Sequence, residues 1–366
     1  MLPRLFNAIG DDNYVRTQRL VLDPERLDTA EAQDVLERAA EIIRAGGLVA
    51  LPTETVYGLG ANALDREAVE RIFAAKQRPA WDPIIVHIAG AVAVNPMLDA
   101  LVTDVPEGAR RLMEAFWPGP LTLLLPRSSA VPDAVTAGRP LVGIRMPSHP
   151  VAFELIRRAG VPIAAPSANT FSRTSPTTAD HVLEDLDGRI DAVLDAGPTP
   201  HGVESTVLDP CQSPMVIYRP GAITVAEIAK IGGPVKFYRS DRPAASPEAM
   251  PAPGVGLRHY APRARLVLVE GSWRELPELI AKTAALYTNE RVGVMLPRDL
   301  ELAGPVAAVV FPWGRWTVPK EMARDLYAGL RTLDAEACTV VLCPVPPHEG
   351  IGEAIRDRLR KAARQA

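Results

Sequence analysis

The sequence predicts a two-domain α/β protein, a larger sheet domain followed by a smaller one, and three observations carry the prediction. Apolar runs of strand length alternate with amphipathic helical stretches, the pattern of a sheet layered with helices. The chain has 366 residues, too many for one comfortable core and about right for two domains of roughly 100–200 residues each. Between residues 239 and 262 the composition turns to Pro, Ala and Ser, without apolar periodicity and with nothing to bury, which reads as a linker.

In chain order, the first helix is predicted from Asp28, whose side chain can cap it with Glu31 reaching back. It carries Val35, Leu36, Ala39, Ile42 and Ile43 on one face and ends at Gly46. The strand LVALPT at 48–53 leads into a polar segment, Pro52 to Gly60. A second helix runs from Asp65 through Val69, Ile72 and Phe73 until Pro79 stops it. Strands are then predicted in PIIVHIA at 83–89, LTLLLPR at 121–127, VGIRMP at 142–147 and VPIAAPS at 161–167. Three shorter strands near 191, 205 and 215 and a helix from Thr224 close the first domain by about residue 238. Beyond the linker, RLVLVEG, RVGVMLP, VAAVVFP and CTVVLCPV alternate with helices around 273–285, 319–333 and 351–363. The predicted domains are therefore 1–238 and 263–366, joined by 239–262.

A formal net charge of -4 argues against a chain that coats nucleic acid, so any RNA would be met locally. Three cysteines make no disulfide framework and fit a reducing compartment, so a cytoplasmic protein is expected. The opening MLPRLFNAIGDDNY has no apolar core of secretory length. No stretch approaches the roughly 20 apolar residues of a membrane-spanning helix. Cys338 and Cys343 flank one apolar strand, and their spacing predicts side chains on opposite faces that cannot share a metal. The histidines show no metal-binding spacing, and no protein-built metal site is predicted.

Candidate chemistry gathers at strand ends, where α/β sheets bind ligands. Thr53, Glu54 and Thr55 put hydroxyls and a carboxylate in a tight space beside Gly58 and Gly60, without the Lys of a Walker loop. Lys76 and Arg78 close the second helix just before Asp82; they suit polyphosphate, and they equally suit a helix C-terminus on dipole grounds. His87 lies among apolar strand residues, as a hydrogen-bonded core histidine does. Arg145 sits between Ile144 and Met146, where a buried guanidinium needs either a substrate carboxylate or a structural ion pair. Ala165 to Asn169, with Ser167 among them, end the next strand, and Arg173 and Ser175 lie just beyond. Glu204, Ser205 and Thr206 open one short strand and Arg219 ends another.

With PTETVYGLG, KQRP, PIIVHI, PGPLTLLL, VGIRMPSHP, APSAN, GVESTVLD and RPG in this order, the first domain resembles the YrdC family. The second domain and the linker motif His259-Tyr260-Ala261-Pro262 resemble the longer, two-domain form of that family. The resemblance implies a twisted α/β sheet with a concave basic cavity, and a smaller Rossmann-like C-terminal domain. It implies a nucleotidyltransferase that makes L-threonylcarbamoyladenylate from L-threonine, bicarbonate and ATP with release of pyrophosphate, for modification of a tRNA adenosine. Carried over by position, Thr55, His87, Arg145, the backbone at Ala165 and Ser205 surround L-threonine, with Arg145 on its carboxylate. Lys76, Arg78, Ser167, Asn169, Ser175 and Arg219 surround ATP, Tyr260 closes over it, and Lys76 and Arg78 are the catalytic cations. Asp82 stands where the family commonly has Asn; an acid beside phosphates is repulsive unless it meets Mg²⁺ or an Arg.

Mg²⁺ is expected with the ATP, held mainly by phosphates and water. Hand-off of the product to a tRNA threonylcarbamoyltransferase and a contact with tRNA itself are the further partners implied. Two rival readings stand beside this one. A non-catalytic module could hold double-stranded RNA on the same cations, with steeply salt-dependent affinity. A carbamoyltransferase-like activity ranks third, because the zinc-finger and acylphosphatase-type segments of hydrogenase-maturation proteins are missing from the sequence.

Overall fold

The computed structural model describes residues 16–239, 250–255 and 259–364. The N-terminal segment to residue 15 and much of the predicted linker lie outside the described residues. Two sheets organise the described residues. The larger has eleven strands, in spatial order Gln18–Val21, Ala192–Asp195, Val49–Pro52, Tyr57–Asn62, Ile163–Ala164, Ile85–His87, Leu141–Arg145, Leu121–Pro126, Thr206–Asp209, Met215–Arg219 and Val235–Phe237. Parallel and antiparallel pairs are mixed, Ile85–His87 running parallel to Leu141–Arg145 and Leu121–Pro126 antiparallel to it. The second sheet has four strands, all parallel, in the order Arg265–Val269, Val340–Pro344, Val292–Leu296 and Val309–Pro312.

The central strands are buried on both faces, so they read as continuous apolar runs rather than alternating ones. In Val49–Pro52, Val49 and Leu51 enter one apolar cluster and Ala50 enters another on the opposite face. Helices Ala30–Arg44 and Pro150–Ala159 pack on the first of these faces through Leu36, Ala39, Ile43, Val151, Leu155 and Ile156. The helix Arg66–Lys76 covers the other with Val69 and Ile72.

Several expectations shift. The first helix is capped by Thr29, whose side chain accepts from the Ala32 N–H, not by Asp28. The helix from Asp65 ends at Lys76, where Gln77 turns into the left-handed region at φ 54°, so it stops before Pro79 is reached. Tyr57–Asn62, read as part of a polar turn, is a strand antiparallel to Val49–Pro52. Its Gly60 is there for packing: a Cβ would lie 2.8 Å from Leu51 and 2.9 Å from Ile163 on the two flanking strands. The linker does bury residues, since Ala252, His259 and Tyr260 are 0%, 6% and 1% exposed. Cys338 and Cys343 enter the same apolar cluster, because Cys338 precedes the strand Val340–Pro344 and escapes its alternation. Among the described residues, no helix is long and apolar enough to cross a membrane.

Candidate active site

A cavity opens on the larger sheet, and its lining comes from strand termini and the turns that join them. The turn after Val49–Pro52 is built by Thr53. Its Oγ1 accepts from the N–H groups of Thr55 and Val56 at 3.2 and 3.3 Å and donates to the Val56 carbonyl at 2.7 Å. Such a side-chain-to-backbone turn orients Thr55 locally. Gly58 then brings the strand against the Ala165–Ser167 loop, where an added Cβ would stand 3.2 Å from that of Ala165.

Arg145 and His87 are register partners at the ends of neighbouring parallel strands. Arg145 donates to Thr55 Oγ1 at 2.9 Å and to the Gly119 carbonyl at 3.3 Å. It also meets Glu54 in an ion pair of 2.8 Å that lies off hydrogen-bonding alignment. Both readings of Arg145 therefore coexist, a structural partner on one side and the cavity on the other. Burial alone would push the Glu54 carboxyl up, but the Arg145 guanidinium carries it below its usual range. Burial, reinforced by Arg145, takes His87 down to about 3, so its imidazole stays neutral near neutrality.

Farther along the cavity, Arg219 donates from Nε to the Ser205 carbonyl and from Nη2 to Ser205 Oγ, both at 3.1 Å. Ser205 Oγ also shares a hydrogen bond of 2.8 Å with Thr122. Arg78 donates to the carbonyls of Asp82 and Pro83 at 3.2 and 2.8 Å and pairs with the Asp82 carboxylate at 3.0 Å. Burial pushes the Asp82 carboxyl up despite Arg78, and its Oδ1 is buried without a hydrogen-bond partner. Lys76 is wholly buried, its Nζ donating to the carbonyls of Ser167 and Asn169, and burial carries it well below the usual lysine range.

Linker residues close the cavity, backed by the second sheet domain. Pro253, Gly254, His259 and Tyr260 all line it. Tyr260 is held in the left-handed region at φ 67°, its hydroxyl buried and unpartnered. Its ring stacks on Tyr327 at 5.9 Å and lies 5.1 Å from the Arg358 guanidinium. The free volume of the cavity is about 50 Å³, against the roughly 300–1,000 Å³ of ligand sites. A ligand of nucleotide size does not fit this arrangement of the linker residues.

Of the residues singled out in the sequence, Thr55, Arg78, His87, Arg145, Ala165, Ser167, Ser205, Arg219 and Tyr260 line this cavity together. Lys76, Asp82, Asn169 and Ser175 stand behind the lining. Lys76 ties down the Ser167 loop, Asp82 pairs with Arg78, Asn169 donates to the carbonyls of Thr170 and Arg173, and Ser175 donates to Glu204 at 2.5 Å. The basic character expected of the cavity is offset, since Arg145 and Arg78 each sit against a carboxylate and Glu204 itself lines the wall. Sequence reasoning missed Gly254, Tyr327 and Arg358. The last two sit on ordinary amphipathic helices that carry no motif.

Residues 41–221 match the Sua5/YciO/YrdC family model described as telomere recombination, and residues 223–364 match the model of the threonylcarbamoyl-AMP synthase C-terminal domain. The threonylcarbamoyl-AMP synthase of Pyrococcus abyssi is 45% identical over 332 residues, 89% of this chain and 93% of the relative. This chain belongs to the threonylcarbamoyl-AMP synthase family. The Bacillus subtilis member is 43% identical over 353 residues, covering 95% of this chain and 98% of that one. The crystal structure of Pyrococcus abyssi Sua5 complexed with L-threonine superposes with a TM-score of 0.81 at 41% identity, over 95% of this chain and 97% of that one. Both sheet domains are thus family features, and the chain is the long, two-domain form.

Proposed function

We propose that this chain synthesises L-threonylcarbamoyladenylate from L-threonine, bicarbonate and ATP, with release of pyrophosphate, and that the product is handed to a tRNA threonylcarbamoyltransferase. The observation that carries the reading is the convergence on one cavity of nine of the thirteen residues that the family resemblance assigns to the site, in a chain alike over 89% and 95% of its length to two threonylcarbamoyl-AMP synthases.

Bicarbonate loses water, taking up one proton, to give carbon dioxide, and the unprotonated threonine amine adds to that carbon and releases one proton to solvent, giving a carbamate. A carbamate oxygen attacks the α-phosphorus of ATP, and the bond from that phosphorus to the pyrophosphate oxygen breaks. Arg145 takes the threonine carboxylate, its guanidinium held in place by Glu54 and the Gly119 carbonyl. Neutral His87 beside it fills the wall without adding a second cation. Arg78 and Arg219 face the phosphates, each anchored through backbone carbonyls, so little reorganisation is needed as charge develops. Lys76 acts through the Ser167 loop it holds. Mg²⁺ would arrive with the nucleotide, held mainly by its phosphates and water, and would neutralise phosphoryl charge. Pro253, Gly254, His259 and Tyr260 exclude water from the labile carbamate and adenylate.

The rival double-stranded RNA module gains no support. Its cations would have to face a duplex surface, whereas Arg78, Arg145 and Arg219 are buried in the cavity wall. Pyrophosphate release from ATP with Mg²⁺ and bicarbonate, with and without L-threonine and with serine as control, tests the function. Threonine-dependent release with a threonylcarbamoyl adenylate detected by mass is expected. Folded protein that binds ATP yet shows no threonine dependence would overturn this reading in favour of the RNA-binding alternative.

A further inference from the structure

Arg358 belongs to the helix Gly352–Ala362 of the second sheet domain, yet its guanidinium is committed to the first. It is 1% exposed. Nε donates to Glu204 Oε2 at 2.7 Å and Nη2 donates to the Pro220 carbonyl at 3.0 Å, while Nη1 donates to its neighbour Asp357 at 2.5 Å. Glu204 immediately precedes Ser205, and Pro220 immediately follows Arg219. One planar fork thus grips the start of Thr206–Asp209 and the end of its antiparallel neighbour Met215–Arg219.

Both gripped segments carry cavity residues, and they are fitted to each other. Arg219 bonds Ser205 through Nε and Nη2, and a Cβ on Gly221 would stand 2.3 Å from the Thr206 nitrogen. Glu204 is held from its other side by Ser175 Oγ at 2.5 Å and by the Tyr327 hydroxyl at 3.1 and 3.0 Å. The Tyr260 ring lies against the same guanidinium.

We propose that Arg358 is a positioning residue for the reaction, setting the spacing of Ser205 and Arg219 from outside the cavity and so making threonine and nucleotide binding depend on the second domain. The inference deepens the functional reading above and rests on it. A buried ion pair is by itself weak evidence for stability, whereas a fork that spans two strands specifies geometry. Lysine at this position keeps the charge and loses the span, because one ammonium cannot serve Glu204 and Pro220 in that planar arrangement. Arg331 offers a matched comparison: it is also buried and also crosses between domains, to Asp185 at 2.9 Å and the Thr174 carbonyl at 2.6 Å, but it grips no residue of the cavity lining.

The test is calorimetric titration of L-threonine and of ATP into the full chain and its Arg358→Lys and Arg331→Lys variants, with unfolding temperatures recorded for each. Arg358→Lys is expected to weaken L-threonine binding tenfold or more and ATP binding by a similar factor. Arg331→Lys should stay within threefold of the parent for both ligands at a comparable loss of unfolding temperature. Parent-like affinities in folded Arg358→Lys, or equal losses in the two variants, overturn the proposal. If Arg358→Lys does not fold, Glu204→Gln weakens the same grip without changing its shape: reduced affinity supports the proposal and unchanged affinity overturns it. A parent chain that fails to bind L-threonine removes the functional reading and this inference with it, whereas equal binding by parent and variant removes the inference alone.

Discussion

Arg78 keeps two backbone acceptors, the carbonyls of Asp82 and Pro83, whatever side chain stands at position 82. The Asp82 carboxylate at 3.0 Å is therefore a competitor for the guanidinium rather than the group that places it. Phosphate oxygens must displace that carboxylate or share the cation with it, in a site where burial already works against its charge. Asp82→Asn leaves Arg78 in place and removes the competitor. The expected outcome is ATP binding tightened about fivefold, roughly 1 kcal/mol at about 1.4 kcal/mol per tenfold, with L-threonine binding unchanged, as read by titration at fixed Mg²⁺. Weaker ATP binding, relieved by raising Mg²⁺, would instead make Asp82 a ligand of the nucleotide's metal.

The linker is the element on which access to the cavity turns, and Gly254 is its tightest point. Its φ is +75°, and a Cβ there would stand 2.9 Å from Arg219 Cδ and 2.9 Å from the Tyr260 hydroxyl. The Gly254 carbonyl in turn accepts from Lys361 of the second domain at 2.8 Å. Gly254→Ala is disfavoured by conformation and by contact, so the segment must lift off Arg219. A tenfold or greater loss of kcat/KM for ATP is expected, with the unfolding temperature within a few degrees of the parent, since Gly254 is not part of an apolar cluster; parent-like kinetics would show that the linker does not gate the site. The same segment marks the limit of what could be read beforehand. Its Pro, Ala and Ser composition has no period, so nothing local revealed that Ala252 is buried among groups of the first domain and Tyr260 among groups of both. Strands such as Leu121–Pro126 and Leu141–Arg145 were legible because burial on both faces leaves an apolar run. Tyr57–Asn62 was not, because its glycines answer to neighbours distant in sequence. The lining residues were found through ordered motifs, while Arg358 and Tyr327 reach Glu204 only through tertiary packing that no local pattern encodes.

At the scale of the whole molecule, the two domains share a core rather than touch at a rim. Val56 and Val203 of the first domain enter one apolar cluster with Trp313, Met322 and Leu326 of the second. Gly202, at φ +70°, lets its loop lie against the helix Pro319–Ala335 where a Cβ would stand 2.5 Å from the Ala323 carbonyl. Glu204 adds a charge to this dependence. Burial would push its carboxyl up, but Arg358 and Arg219 hold it down at about 2, so it is ionised at neutral pH and needs its partners. Removing residues 239–366 strips Arg358 and Tyr327 from Glu204 and uncovers Val56 and Val203 at once. An isolated buried carboxylate is costly, and the strand start it occupies is the one that carries Ser205. The truncated chain is therefore expected to unfold at a lower temperature and to bind L-threonine at least tenfold more weakly, measured by thermal unfolding and titration beside the full chain. Tight threonine binding with lost pyrophosphate release would confine the second domain to holding the linker, and full activity of the truncated chain would sink the dependence of the site on that domain altogether.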